Sequence, residues 1–360
     1  MKWKKKLMSI IFAGTMALGL VSCGGTGGSS ESADGGSSGS SHSDLTGKIV
    51  IYTSMYEDII DNMKDPLKKE FPNLDIEFFQ AGAGTLQSKV AAELDTGKLS
   101  CDILMVAEPS YSLELKEKNI LHPYKYADAD KLAFDYDKEG YWYPVRVCNM
   151  VLAYNPEKNQ KSEVPNSLKD FAENPAYKDA LSMGNPLTSG TTYSSVVALL
   201  DKYGEEYFKA LGKQNVAVES GSVAVTKLET GECKAIMVLE ESILKKREEE
   251  GSGLEVIYPE DGSIAVPSNI MIVNDKYSAN ANTKAAEAVE EYFLSPAGQE
   301  LIIKGWMYGV RNDMDKTPYD GSKLEDILKN NNPIDWDKAY HQRDEIREMF
   351  QKYVTVPEGK

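Results

Sequence analysis

Cysteine is scarce in this 360-residue sequence: four residues, at 23, 101, 148 and 233. Their spacings are long and unequal, which excludes a disulfide framework and a CxxC zinc pattern. Histidine is scarcer still, with His42, His122 and His341 only. That argues against a His-rich metal site and a His-driven nucleophile. No GxSxG, HExxH or phosphate-loop lysine motif is present, and no repeat of fixed period runs through the chain. Basic residues are outnumbered, 40 Lys and Arg against 56 Asp and Glu, for a formal charge of −16. Such a balance excludes nucleic acid as a partner and disfavours a surface that hugs anionic lipid. It says little about a small ligand, because a cleft can carry the opposite local potential. The longest apolar stretch, residues 7–20, falls short of the ~20 residues a membrane span needs.

What is present begins at the N-terminus. Lys2, Lys4, Lys5 and Lys6 precede that apolar stretch, the layout of a secretory signal peptide. It ends in Leu20-Val21-Ser22-Cys23, which resembles the lipobox of bacterial lipoproteins. The resemblance implies lipidation at Cys23, removal of residues 1–22 and anchoring to the outer face of the cell membrane. Those residues hold four lysines and no acids, so the chain from Cys23 onward would carry −20. From Gly24 to His42 the sequence is rich in Gly and Ser, as a flexible tether is. Residues 23–46 are therefore read as lipid anchor and linker.

The body exceeds the usual single-domain length, which predicts two lobes. Lys48–Thr53, Leu74–Phe79 and Asp102–Val106 have strand character, with helical patterns over 58–71 and 86–94 between them. Alternating strands and helices predict a parallel sheet wrapped by helices, with ligands beyond the C-terminal strand ends. The loops at 53–56, 82–85 and 107–110 then face one crevice. A second unit opens after Met150–Pro156: strands near 180–183, 216–218 and 235–239, and helices over 193–202 and 223–230. Ile264–Val273 reads as an extended crossing, followed by helices at 284–293 and 296–304. Ser167 and Ser295 sit where helix caps belong. The predicted lobes are 47–150 with 270–360, and 151–269.

In this order, Ile51-Tyr52-Thr53-Ser54, Asn155-Pro156, Asn185-Pro186, Ser189-Gly190-Thr191, Ser295-Pro296-Ala297-Gly298-Gln299 and Gly309-Val310-Arg311 resemble the solute-binding proteins of ABC importers. The similarity is to the branch that binds ferric ion, phosphosugars or phosphonates. It implies an α/β fold of two Rossmann-like lobes joined by two crossover strands, the type II periplasmic-binding architecture. It further implies a monomer that clamps a small molecule between its lobes and hands it to permease subunits, with no catalysis and no cofactor.

Ser189-Gly190-Thr191-Thr192 is the sharpest chemical feature. It precedes an apolar helical run, where unpaired backbone N–H groups hold an anion and Gly190 permits close approach. Gly82-Ala83-Gly84-Thr85 forms a similar start, so Gly84 and Thr85 join the candidates with Ser54 of the first loop. Glu108 matches a metal-ligand Glu of ferric-binding relatives, and Tyr56 stands where those relatives offer a His. Glu240 and Glu241 stand where those relatives carry paired tyrosines, a departure at the defining residues of the iron site. The four oxygen donors suit either a hard cation or the hydroxyls and ammonium groups of an organic ligand. Arg146 and Arg311 are further anion partners by chemistry. Tyr141, Trp142, Tyr143, Trp306 and Tyr308 either stack on ligand or fill the hinge. A phosphorylated or phosphonate-like organic anion is the expected cargo. Ferric iron is the alternative, and a secreted phosphoester hydrolase or an interaction-only lipoprotein stands behind both.

Overall fold

A computed structural model describes residues 42–357. The expected signal peptide, Cys23 and the tether as far as residue 41 lie outside those residues. In chain order the elements are β1 (Gly47–Thr53), α1 (Glu57–Glu70), β2 (Leu74–Gln80), α2 (Ala83–Asp95), β3 (Ile103–Val106), α3 (Pro109–Glu117) and β4 (Leu121–His122). There follow β5 (Tyr143–Tyr154), α4 (Leu168–Glu173), β6 (Leu181–Gly184), α5 (Gly190–Tyr203), α6 (Glu205–Lys213), β7 (Ala217–Glu219), α7 (Gly221–Thr230) and β8 (Ala235–Leu239). The rest comprises α8 (Glu240–Glu250), β9 (Glu255–Ile257), β10 (Ile264–Val273), α9 (Thr283–Leu294), α10 (Pro296–Lys304), α11 (Leu324–Lys329), α12 (Trp336–His341) and α13 (Arg343–Tyr353).

Helix α1 illustrates why the elements form where they do. Ile59, Ile60, Met63 and Leu67 share one buried face, while Glu57 and Asp58 open the helix and Lys68 and Lys69 close it. That charge order complements the helix dipole. The caps read from sequence are made: Ser167 accepts from the Asp170 N–H at 3.0 Å and Ser295 from the Gly298 N–H at 3.3 Å. Pro296 occupies the first helical position, where its missing N–H costs nothing.

The strands lie in the order β2-β1-β3-β10-β5-β8-β6-β7. β1 is parallel to β2 and β3, and β6 is parallel to β7 and β8. Between these two parallel sets run β10 and β5, antiparallel to each other and to the strands beside them. Each crosses from one lobe to the other. β10 pairs with β3 through Asn269–Ile272 and with β5 through Ile264–Ile270. β5 continues to β8 through Met150–Tyr154, and all twelve of its residues are buried. This is the two-crossover fold that the motifs imply.

Two apolar clusters dominate the core. One joins β1, β3 and α1 to α9 and α10. The other joins β6, α5 and α6 to Ala339, Ile346, Phe350 and Val354. Thus α13, grouped by sequence order with the first lobe, packs on the second, while α12 lies against both α3 of the first lobe and α5 of the second. Among the described residues no helix is long and apolar enough to cross a membrane.

The first-lobe core holds one ionisable group at odds with its surroundings. Glu290 of α9 is buried and its Oε2 has no partner among the described residues. Burial pushes its carboxyl well above the ordinary range, and Glu287 adds repulsion. Above the unfolded Glu pKa of about 4.3, the unfolded chain releases a proton that the folded chain retains. Stability therefore falls as pH rises towards the folded-state pKa. Glu290→Gln should remove that slope and raise the neutral-pH melting temperature by about 2–4 °C, for ~1 kcal/mol. Thermal melts between about pH 5 and 8 read it; parallel slopes in both proteins would refute the assignment.

Candidate functional site

The C-terminal ends of β1, β3, β6 and β8 surround a cavity of about 810 Å³ between the lobes, a size suited to a small molecule. From the first lobe it takes Ser54, Tyr56, Gln80, Gly82, Ala83, Thr85 and Ala107. The second lobe supplies Gly184, Asn185, residues 188–192, residues 219–222 and residues 237–239, and β5 supplies Arg146 and Met150.

At the start of α5, Ser189 is the N-cap and its Oγ accepts from the Thr192 N–H at 3.3 Å. The Thr191 and Thr192 hydroxyls gather on the same oxygen, each at 3.1 Å. A helix cannot satisfy its first N–H groups internally, so those of Gly190 and Thr191 stand at the cavity wall as donors. Helix α2 brings Gly82, Ala83 and Thr85 of its own start to the facing wall. Ser54 links the loops of β1 and β3, its Oγ accepting from the Ala107 N–H at 3.1 Å. Burial raises the Tyr56 phenol to about 12, so it stands in the wall as a neutral hydroxyl.

Sequence reasoning missed one contributor. Ser220 caps α7, and Ser220, Gly221 and Ser222 line the same cavity, making a third helix start there. The signal was available: Ser-Gly-Ser before an apolar helix repeats the chemistry of Ser-Gly-Thr at 189–191. Arg146, named from sequence as an anion partner, is brought to the cavity by β5. It is 1% exposed, lines the cavity, and donates from Nη1 to Glu241 Oε1 at 3.1 Å. Its buried Nε has no partner among the described residues.

Four candidates lie elsewhere. Gly84 is pressed against the other lobe, its N–H donating to the Thr188 carbonyl at 3.1 Å. Glu108 is fully buried behind the wall, accepting from Gln87 at 2.8 Å and lying 3.3 Å from Arg343. Glu240 and Glu241 follow directly on β8 and form the first turn of α8 beside the hinge. Glu240 accepts from Asn149 at 2.6 Å, from Tyr308 at 2.9 Å and from Tyr258. Burial raises both carboxyls, and Arg146 works against the rise at Glu241. Among the described residues no three His, Cys, Asp or Glu side chains are grouped to hold a metal.

Arg311 is likewise remote from the cavity, held by Asp313 at 2.7 Å and by Tyr126 at 2.7 Å. Tyr143, Trp306 and Tyr308 belong to the first-lobe core cluster. The cavity's acids are Glu57, Asp58, Asp61 and Glu219. Asp58 meets Lys245 at 2.5 Å, Asp61 meets Lys64 at 2.6 Å, and Glu219 meets Lys227.

The same two-crossover body occurs in solved structures. Over 86% of this chain and 99% of theirs, it superposes on the periplasmic binding protein AfuA from Actinobacillus pleuropneumoniae, with fructose-6-phosphate bound (TM-score 0.74, 20% identity). Iron-bound HitA from Pseudomonas aeruginosa matches 85% of this chain and 99% of its own (TM-score 0.71, 17% identity). A periplasmic thiamin binding protein matches 88% and 98% (TM-score 0.67, 15% identity). Identities this low speak to the fold alone. A comparison with curated proteins finds no match. The family model for bacterial extracellular solute-binding proteins, however, matches residues 99–342. That span takes in both crossover strands and most of the cavity wall, and it makes this chain a member of the bacterial extracellular solute-binding proteins.

Proposed function

We propose that this protein is the solute-capturing component of an ABC importer and that its cavity takes a small phosphorylated or phosphonate-like organic anion. The observation that carries the reading is the convergence of three helix starts, at α2, α5 and α7, with the Arg146 guanidinium on one cavity. Each helix start presents unpaired N–H donors and positive dipole character. The guanidinium adds a partly unsatisfied, desolvated cation of the geometry that matches phosphate oxygens. No lysine lines the cavity among the described residues, so the anion is held mainly by oriented backbone dipoles. Glu219, Asp58 and Asp61 face hydroxyl or ammonium groups on the organic part of the ligand.

A hard cation has less support, because the carboxylates of Glu108, Glu240 and Glu241 are each engaged by neighbouring donors. The lipobox at Cys23 supports a location outside the cytoplasm on a lipid anchor, and the family resemblance supports a monomer that docks on permease subunits.

Ser189→Ala with Thr191→Val should weaken an organic phosphate about 100-fold while leaving the melting temperature of the free protein within ~3 °C, since each lost charged hydrogen bond costs about 1.5 kcal/mol. Titration calorimetry against a panel of sugar phosphates and phosphonates measures it, and unchanged affinity would reject the anion turn. Native mass spectrometry of the freshly purified protein separates the alternatives. A co-purified metal ion would favour the cation reading, and inorganic phosphate released from the panel would favour a hydrolase. A diacylglycerol mass on the peptide beginning at Cys23 tests the anchor.

A further inference from the structure

Helix α13 packs on α5 and α6 of the second lobe, and α12 lies between α5 and α3, an element of the first lobe. Ile346 and Phe350 lie in the second-lobe core, and Tyr193 of α5 donates to the Ala339 carbonyl at 2.7 Å. Asn332, just before α12, accepts from Lys202 at 2.6 Å and donates to the Ser263 carbonyl at 3.1 Å. From this base Arg343 extends to α3 of the first lobe, 2.5 Å from Glu114 and 3.3 Å from Glu108. Tyr340 donates to Glu117 at 2.8 Å on the same helix. Arg343 and Glu114 are both nearly buried and Glu108 is wholly so. Desolvated charges at this distance interact far more strongly than surface pairs.

Glu108 follows Ala107, a residue of the cavity wall, and its Cβ lies within 2.9 Å of where a Cβ on Gly190 would stand. The carboxylate that Arg343 grips therefore belongs to the turn against which the α5 start is seated. We propose that α12–α13 is an interlobe latch, with Arg343 of the second lobe positioning the β3–α3 turn through Glu108 and Glu114 so that the two walls of the cavity meet. Arg343 is a positioning residue; it touches no ligand. Opening the lobes would pull Arg343 from both acids, so the pair favours the state in which the anion site is assembled. The inference rests on the solute-binding reading but not on the nature of the solute.

The Gly84 N–H, bonded to Thr188 across the lobes, reports the seam directly. In the full chain without added ligand, Arg343→Gln and Glu108→Gln should each speed hydrogen exchange in residues 82–87 and 187–192 by about tenfold, because protection follows the local opening equilibrium. Exchange in residues 346–353 should stay unchanged, and Arg343→Lys should restore most of the seam's protection. Glu108→Gln lies on the other lobe, so it tests the latch even where the arginine variant folds poorly. Unchanged seam protection in both glutamine variants overturns the latch, as does equal loss of protection throughout α13. Inorganic phosphate, added last, tests the anion separately. Phosphate that fails to protect the wild-type seam counts against the anion reading, while the ligand-free comparison still decides the latch.

Discussion

A single methyl group at position 84 should cost the protein most of its solute affinity while leaving its free fold almost untouched. An ideal Cβ on Gly84 would stand 2.3 Å from the Leu187 carbonyl oxygen and 3.0 Å from the Thr188 Cα. One on Gly190 would stand 2.7 Å from both the Ala107 oxygen and the Ala83 Cβ. In each case the obstacle is backbone or Cβ of the other lobe, which no rotamer change relieves. The clash therefore exists only where the lobes meet. Overpacking of this kind costs about 1–3 kcal/mol, so Gly84→Ala should weaken capture roughly ten- to hundredfold. The free melting temperature should move by less than about 2 °C, since without ligand the lobes can part at the seam and relieve the clash. Gly184→Ala is the contrasting variant. Its Cβ would meet Thr192 Oγ1 at 2.2 Å within one lobe, so it should lower the melting temperature with or without ligand. Calorimetric titration with an organic phosphate that wild type captures, paired with thermal melts, distinguishes them. Gly84→Ala binding within twofold of wild type would show that the seam does not carry closure.

The contrast between these glycines shows what was legible in advance. Period-two and helical patterns revealed β1, β2, β3 and the β10 crossing because both faces or one face of each must be buried, which writes itself into local sequence. Ser189–Thr192 was legible because capping chemistry is local too. Gly84 and Glu108 were readable as residues at the cleft but not by role: each is defined by a partner on the other lobe, 104 positions away at Thr188 for Gly84 and at Arg343 for Glu108. Glu240 and Glu241 were legible as acids at the cleft end of the second lobe but not as the opening of α8, which begins directly after β8 without a capping side chain. Their acidic side chains suit the helix's first turn. Helix α3 escaped because Pro109–Glu117 lacks a clear apolar stripe: Tyr111 and Leu115 are buried, but so are Ser110 and Ser112. The latch helices α12 and α13 escaped for want of any marker of which lobe they join.

Arg146→Met should unfold the hinge more readily than any ligand-site change and also end anion capture, and the two effects should come apart. Arg146 and Glu241 are 1% and 3% exposed and meet at 3.1 Å. Removing the guanidinium leaves a buried carboxylate with no counter-charge, a loss of about 3–5 kcal/mol, or on the order of 5–10 °C in melting temperature. Adding Glu241→Leu removes the orphaned charge, and replacement of a buried pair by apolar side chains is often neutral. The double variant should therefore regain most of the stability. It should not regain binding, because Arg146 is the only arginine lining the cavity among the described residues. Glu241→Gln alone supplies the opposite sign. It frees the arginine from its carboxylate, so affinity for a dianionic phosphate should rise by about two- to tenfold at low salt, with the gain shrinking as ionic strength grows. A double variant that binds as wild type does would confine Arg146 to the hinge and leave the helix starts to hold the anion unaided.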